Sequence, residues 1–248
     1  MKWRVISFEK HDAFTNMALD EACGLALLEG KVPYTIRFYG WEPSAVSIGY
    51  HQSITDEVNL EECRNQQIDV VRRRTGGGAV YHDSEGEITY SLIAPEMLYP
   101  KDILASYKII CGSIVDALSG LQLQAEFKPI NDIILGGKKI SGNAQTRRQG
   151  ILTQHGTLLY DLDVKKMFSA LKVSQEKISD KMIASVEERV TCLRKCGIAD
   201  KNAAYEALIS GFTKAKEFEF GGWTEFELLK AKELAETKYK TTEWNFQR

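Results

Sequence analysis

Cysteine is scarce in this chain, and what there is does not pair up. Five cysteines are scattered over 248 residues. An odd, dispersed set argues against a disulfide framework and fits a reducing, cytoplasmic compartment. Cys192 and Cys196 lie close together, but no second pair or nearby histidine completes a zinc site, so they read as helix-face or core thiols. Long hydrophobic runs are also lacking: none approaches the roughly 20 residues needed to span a bilayer, and no membrane partner is expected. The first ten residues, Met1 to Lys10, are too charged for a signal peptide and read as a first strand. Neither sign of charge dominates, with 32 Lys+Arg against 34 Asp+Glu. Wholesale nucleic-acid binding, which usually shows a basic excess, is therefore not expected. No repeat, low-complexity tract or linker rich in Pro, Gly or Ser divides the chain. Its length allows one large domain or two small ones, with a sizeable core.

What is present begins with Val70-Val71-Arg72-Arg73-Arg74-Thr75-Gly76-Gly77-Gly78-Ala79-Val80-Tyr81-His82-Asp83. Arginine forks suit carboxylate and phosphate oxygens, and consecutive glycines let backbone N–H groups approach a ligand closely. A phosphate-bearing ligand joined to an organic acid would match both. The glycines are not a P-loop, because no GK[ST] follows. They are not a dinucleotide fingerprint either, since that motif runs into a helix. Here Glu87 to Ile93 has the β-branched and aromatic content of a strand. The loop should join two strands, and a Gly-rich hairpin with arginines on a solvated edge is the plain alternative.

Apolar spacing predicts a helix over Thr15 to Leu28, capped by Thr15 or Asn16 and stopped at Gly30. Strands are expected at Tyr34 to Tyr39 and Ala45 to Tyr50, then a helical stretch over Val58 to Gln66. Asp102 to Leu118 reads as an amphipathic helix with Cys111 among its apolar positions, a buried thiol rather than a nucleophile. Short strands follow at Asp132 to Leu135, Lys138 to Gln145 and Ile151 to Tyr160, and beyond Asp163 the pattern is mainly helical to Tyr239. The expected class is α/β (α+β), a sheet with helices on its faces.

A second constellation occupies those short strands: Asn131-Asp132, then Gly136-Gly137-Lys138-Lys139-Ile140-Ser141-Gly142-Asn143-Ala144-Gln145, then Gln154-His155-Gly156-Thr157-Leu158. Strict alternation would place Lys139, Ser141 and Asn143 on one face and Lys138, Ile140 and Gly142 on the other. A lysine facing inward beside small residues suits a phosphate or an activated acyl oxygen. A hairpin with solvated lysines is the competing reading.

Together the two blocks resemble the lipoate–protein ligase family, within the wider group of biotin ligases and octanoyltransferases. Asn16 to Glu21, Ile36 to Trp41, Lys238-Tyr239 and Glu243-Trp244-Asn245 fit the same resemblance, in the expected order along nearly the whole chain. It implies a mixed β-sheet flanked by helices, like the biotin ligase catalytic domain, as a single catalytic domain over 1–248. It also implies a reaction in which ATP, with Mg²⁺, activates lipoate as lipoyl-AMP before transfer to a lysine of an apo lipoyl domain. That domain would belong to a 2-oxoacid dehydrogenase or to the glycine cleavage system. Carried over by motif, Lys139 would be the catalytic cation. Arg73 and Thr75 would hold the acyl-adenylate over Gly76, Gly77 and Gly78, with Ala79 beside the acyl tail and His82 and Asp83 on the adenylate side. Asn131, Asp132, Ser141 and Gly142 would lie near the nucleotide, with Asp132 a candidate Mg²⁺ ligand, and His155 would stand by the acyl group. Phe38, Tyr39 and Trp41 are candidate tunnel walls, whereas Arg72 and Arg74 read equally well as surface residues.

Two departures qualify the resemblance. Many such ligases carry a further small C-terminal domain that is not evident here, so a separate accessory subunit is an expected partner. Octanoyltransferases of similar length pass through a cysteine thioester, and the matching place reads Phe127-Lys128-Pro129-Ile130-Asn131-Asp132, without cysteine. That absence favours the ATP-dependent ligase, with the octanoyltransferase as the alternative. A non-catalytic or nucleic-acid-binding relative is a third reading, disfavoured by the charge balance and by the lack of a winged-helix segment before Trp3.

Overall fold

The computed structural model describes residues 2–172 and 180–248. Its strands are β1 (Trp3–His11), β2 (Thr35–Trp41), β3 (Ala45–Ile48), β4 (Asp69–Arg72), β5 (Val80–His82), β6 (Glu87–Pro95), β7 (Ala125–Lys128), β8 (Asp132–Leu135), β9 (Lys138–Arg148), β10 (Ile151–Leu159) and β11 (Phe218–Phe220). The helices are α1 (Ala13–Leu28), α2 (Ile54–Glu57), α3 (Leu60–Asn65), α4 (Ile103–Gly120), α5 (Val164–Ala170), α6 (Asp180–Arg189), α7 (Lys201–Thr213), α8 (Glu225–Leu234) and α9 (Thr242–Asn245). An eight-stranded mixed sheet runs β11-β1-β2-β6-β10-β9-β8-β7, and a three-stranded sheet runs β4-β3-β5. This is the helix-flanked mixed sheet that the sequence leads one to expect.

Each face of the large sheet is set by strand alternation. Ile36, Phe38, Tyr90, Leu92, Leu152 and Leu158 meet α4 and α7 in the main core. Tyr39 and Trp41, on the other face of β2, pack with α1 and α8. Phe38 therefore packs against Tyr205 and Phe212, away from any acyl tunnel. Helix α4 is, among the described residues, the one helix long and apolar enough by composition to cross a membrane, with mean hydropathy 1.3. The sequence already marks it as an amphipathic helix over Asp102 to Leu118. Its Tyr107, Ile110, Cys111, Ile114 and Leu118 form the stripe buried against the sheet.

Several boundaries differ from expectation for local chemical reasons. Helix α1 starts earlier because Asp12, rather than Thr15 or Asn16, is its cap: the Thr15 N–H donates to Asp12 Oδ1 at 2.8 Å. The helix expected over Val58 to Gln66 shortens to α3, with α2 ending just before it, because Val58 bridges to Leu171 instead of continuing a helix. Strands β7 and β11 are extended where their short segments give little periodicity. Part of the helical stretch expected beyond Asp163, residues 173–179, lies outside the described residues.

Candidate active site

A cavity of about 320 Å³ lies between the large sheet and the small one. Trp41, Tyr39, Met17, Met167 and Leu171 form apolar walls, and Ala79, Gly77 and Gly78 line the loop side. At its polar end stand Lys139, Asn131 and Gly142, with His155 and Thr157 from β10. Two facing sheets hold these groups, so the site is built on regular elements.

Lys139 reaches the cavity through a bulge. β8 pairs Ile133 with Ser141 but Ile134 with Lys139, leaving Ile140 as an extra residue. The alternation expected from sequence therefore breaks. Lys139 lines the cavity together with Gly142, Asn143 and Ala144, while Ile140 and Ser141 are buried away from it. Gly142 leaves room for this arrangement: a Cβ there would crowd Cε and Nζ of Lys139 at 3.0 Å and push the lysine tip aside. Lys139 Nζ lies 2.7 Å from Asp132 Oδ1, and the lysine side chain is 43% exposed. Asn143, also in the cavity lining, accepts from the Tyr90 hydroxyl at 2.7 Å and donates to the Asn131 carbonyl at 2.9 Å. Ser141 is fully buried, 3.3 Å from the Asn143 amide, and supports the strand from behind the cavity.

The arginine–glycine segment is organised differently from the reading of it as a ring of free ligand donors. Arg73 is buried, and burial pushes its guanidinium down to about 10. Nε donates to Thr75 Oγ1, Nη1 to the Ser47 carbonyl and Oγ, and Nη2 to the carbonyls of Gly76 and Gly78. All five N–H groups are thus engaged in shaping the glycine loop. Arg72, read from sequence as a surface residue, is wholly buried and donates to the carbonyls of Gly49, Tyr50, Gln52, Trp244 and Asn245. Arg74 lies 3.7 Å from Glu21. Gly76 faces a separate cleft with Tyr50, Arg147 and Arg148.

Two hydroxyl–imidazole–carboxylate chains meet at Arg73. Ser47 Oγ lies 2.8 Å from His82 Nε2, and His82 Nδ1 lies 2.7 Å from Glu87 Oε1. The His82 ring stacks on Trp41 at 4.0 Å. Thr75 Oγ1 lies 2.9 Å from His155 Nε2, whose Nδ1 is 3.7 Å from Asp20 Oδ2. Each hydroxyl already accepts an N–H from Arg73. We therefore assign both hydroxyl protons to the imidazole nitrogens, and both Nδ1 protons toward the carboxylates. Burial lowers His155 below its ordinary value, against the pull of Asp20. Asp20 is itself held below the carboxylate range: burial would raise it, but Arg37 at 3.0 Å and His155 outweigh that.

The structure brings Lys139, Gly77, Gly78, Ala79, Arg73, His82, Asn131, Gly142 and His155 to one cavity. Thr75 borders an adjoining crevice with His155. It does not bring Asp83 there. That carboxylate accepts from the N–H groups of Glu85 and Gly86 and from the Tyr81 hydroxyl, which commits it to the β5–β6 turn. Ser47, Glu87 and Asp20 were missed from sequence. Ser47 gave one faint signal, as the lone hydroxyl in the Ala45 to Ile48 run.

The model of the lipoyl protein ligase A/B catalytic domain matches residues 12–213. The chain belongs to this family. Octanoyltransferase LipM of Brevibacillus brevis is 36% identical over 276 aligned positions, covering 100% of this chain and 99% of that protein. A bi-partite lipoate protein ligase of Thermoplasma acidophilum superposes with TM-score 0.87 at 31% identity, covering 99% of this chain and 96% of that one. Lipoate-protein ligase A bound with ATP gives TM-score 0.86 at 30% identity, covering 99% of each chain. The chain is thus an enzyme of the lipoate ligase and octanoyltransferase superfamily. The curated relative's name favours the octanoyltransferase over the ATP-dependent ligase that the missing cysteine suggested.

Proposed function

We propose that this enzyme transfers an octanoyl group from a carrier-protein thioester to a lysine of an apo lipoyl domain. The observation that carries the reading is the cavity: about 320 Å³, with aromatic and aliphatic walls that suit an acyl chain and one lysine, Lys139, in its lining. Apolar burial of the chain supplies binding. Lys139 Nζ, freed from Asp132 by a competing anion, stabilises the oxyanion that forms when the acyl carbon is attacked. The name of the curated octanoyltransferase LipM relative supports octanoyl transfer.

A second reading, ATP-dependent lipoylation through lipoyl-AMP, is favoured by one further observation. No cysteine lines the cavity among the described residues. Burial also pushes the Cys23 and Cys111 thiols up to about 12, which disfavours the thiolate a thioester intermediate needs. The ATP-bound neighbour supports this reading too, and the bi-partite neighbour supports a separate accessory subunit under it. No group of three or more His, Cys, Asp or Glu side chains is poised for a metal among the described residues. Asp132 beside Lys139 fits Mg²⁺ only as one protein ligand to an ion carried in by phosphates.

The deciding experiment supplies an apo lipoyl domain with octanoyl carrier protein in one tube, and with lipoate, ATP and Mg²⁺ in another. Intact mass of the acceptor is the readout. ATP-independent gain of one octanoyl group supports the transferase. Gain of a lipoyl group only with ATP replaces it with the ligase, and no gain in either tube, with or without an added accessory subunit, rejects both.

A further inference from the structure

The transferase reading leaves open whether the acyl group passes straight to the acceptor amine or first to a group of the enzyme, and no cysteine lines the cavity among the described residues. We infer that Ser47 receives it first, as a nucleophile activated by His82 and Glu87, so that transfer runs through a serine oxyester. The proposal rests on the acyl-transfer reading above. Three strands converge to make it, Ser47 from β3, His82 from β5 and Glu87 from β6. The two links measure 2.8 and 2.7 Å, the geometry of a hydroxyl relayed through imidazole to carboxylate.

Four observations separate this array from a merely structural one. Ser47 and His82 both line the acyl cavity, and Ser47 is only 2% exposed, so the pair borders the cavity while shielded from bulk water. Arg73 Nη1 donates to Ser47 Oγ at 3.1 Å, which stabilises negative charge on that oxygen. The N–H groups of Gly77 and Gly78, on the same cavity wall, meet no acceptor among the described residues and are available to an oxyanion. The carboxylate is fixed as well: Glu87 is buried and takes a second hydrogen bond from Thr89 at 2.8 Å. The parallel Thr75–His155–Asp20 array is the weaker candidate. Its imidazole–carboxylate separation is 3.7 Å, and Thr75 borders the neighbouring crevice.

The chemistry closes without a further reactant. Ser47 Oγ attacks the thioester carbonyl carbon as its proton moves to His82 Nε2. The carbon–sulfur bond breaks, and the thiolate leaves with that proton. The acceptor lysine, as free amine, then attacks the ester carbon. A carbon–nitrogen bond forms, the carbon–oxygen bond breaks, and the amine proton returns through His82 to Ser47.

The test incubates the purified chain with octanoyl carrier protein and no acceptor, quenches in acid, and locates any acyl adduct by peptide mass. The expected result is one octanoyl group on Ser47, resistant to neutral hydroxylamine. Ser47→Ala should lose the adduct and at least about 100-fold of acceptor octanoylation. Ser47→Cys should carry a hydroxylamine-labile adduct at the same position, which tests the site even if the alanine variant is unstable. An octanoylated acceptor without a Ser47 adduct, or undiminished turnover by Ser47→Ala, would overturn the nucleophile and leave acyl transfer standing. No acceptor octanoylation by the unaltered protein would instead remove the transferase reading, and the nucleophile with it.

Discussion

Lys139 is the residue at which both readings of the reaction converge, because each develops negative charge on an acyl oxygen at the cavity's polar end. Its side chain is 43% exposed and, among the described residues, pairs with Asp132 alone, so its removal leaves no buried partner stranded. Lys139→Ala should keep the melting temperature within about 2 °C, since surface changes are usually within ±0.5 kcal/mol. Acceptor acylation should fall about 100- to 1,000-fold, the usual cost of losing one oxyanion donor. Mass-based turnover and a thermal melt on the same preparation check this, and normal turnover would remove the lysine from the mechanism. This residue was singled out in sequence by the family resemblance, since the segment alone fitted a hairpin with solvated lysines as well. Its face was not legible, because a one-residue bulge at Ile140 leaves no mark in composition. Ser47, His82 and Glu87 were illegible as a group: they come from separate strands, and only the pairing of β3 with β5 places Ser47 beside His82.

At the scale of elements, the glycine loop is held rather than free. Arg73 gathers it from inside, and Gly49 lets it lie flat: a Cβ there would come within 2.0 Å of the Gly77 carbonyl oxygen. Backbone cannot swing aside as a side chain can, so Gly49→Ala should shift the loop and cost about 1–3 kcal/mol. Acyl transfer should fall with it, and chemical denaturation with turnover on the same sample would show both. Equal stability and activity would mean the loop has room to spare. Arg72 ties β4 to the C-terminal helix α9 through Trp244 and Asn245. Asn245 answers by accepting the Arg72 backbone N–H at 2.7 Å. Arg72→Ala strands several buried carbonyls and should cost about 3 kcal/mol or more, measured by the denaturation midpoint. The arginine run drew attention in sequence as a ligand-binding patch. Its chemistry was legible, but its partners were not, because Trp244 and Asn245 lie more than 170 positions away.

Across the whole molecule, buried charge is concentrated on the sheet face that carries the site, and this sets how stability answers to pH. Asp20 pairs with Arg37 and faces His155. Glu227 takes both Nη1 and Nη2 of Arg4, at 2.9 and 2.6 Å. Glu21 joins Lys238 and the Tyr239 hydroxyl. For His155 the folded-state pKa is depressed below 6.5, with burial the main cause. As pH falls past 6.5 the unfolded chain takes up a proton that the folded chain refuses, so stability declines between that value and the folded pKa. The three carboxylates are also depressed in the folded state, since their basic partners outweigh burial. Their contribution is full above the ordinary carboxylate range and is lost as pH falls through their lowered values. Denaturation midpoints from pH 8 to pH 3 should therefore fall in two stages, one beginning near 6.5 and a larger one below about 4. His155→Gln should remove much of the first stage and leave the second, because a neutral amide keeps a polar partner for Thr75 without titrating. An unchanged first stage in that variant would assign it to other groups and would mean that His155 takes up its proton alike in the folded and unfolded chain.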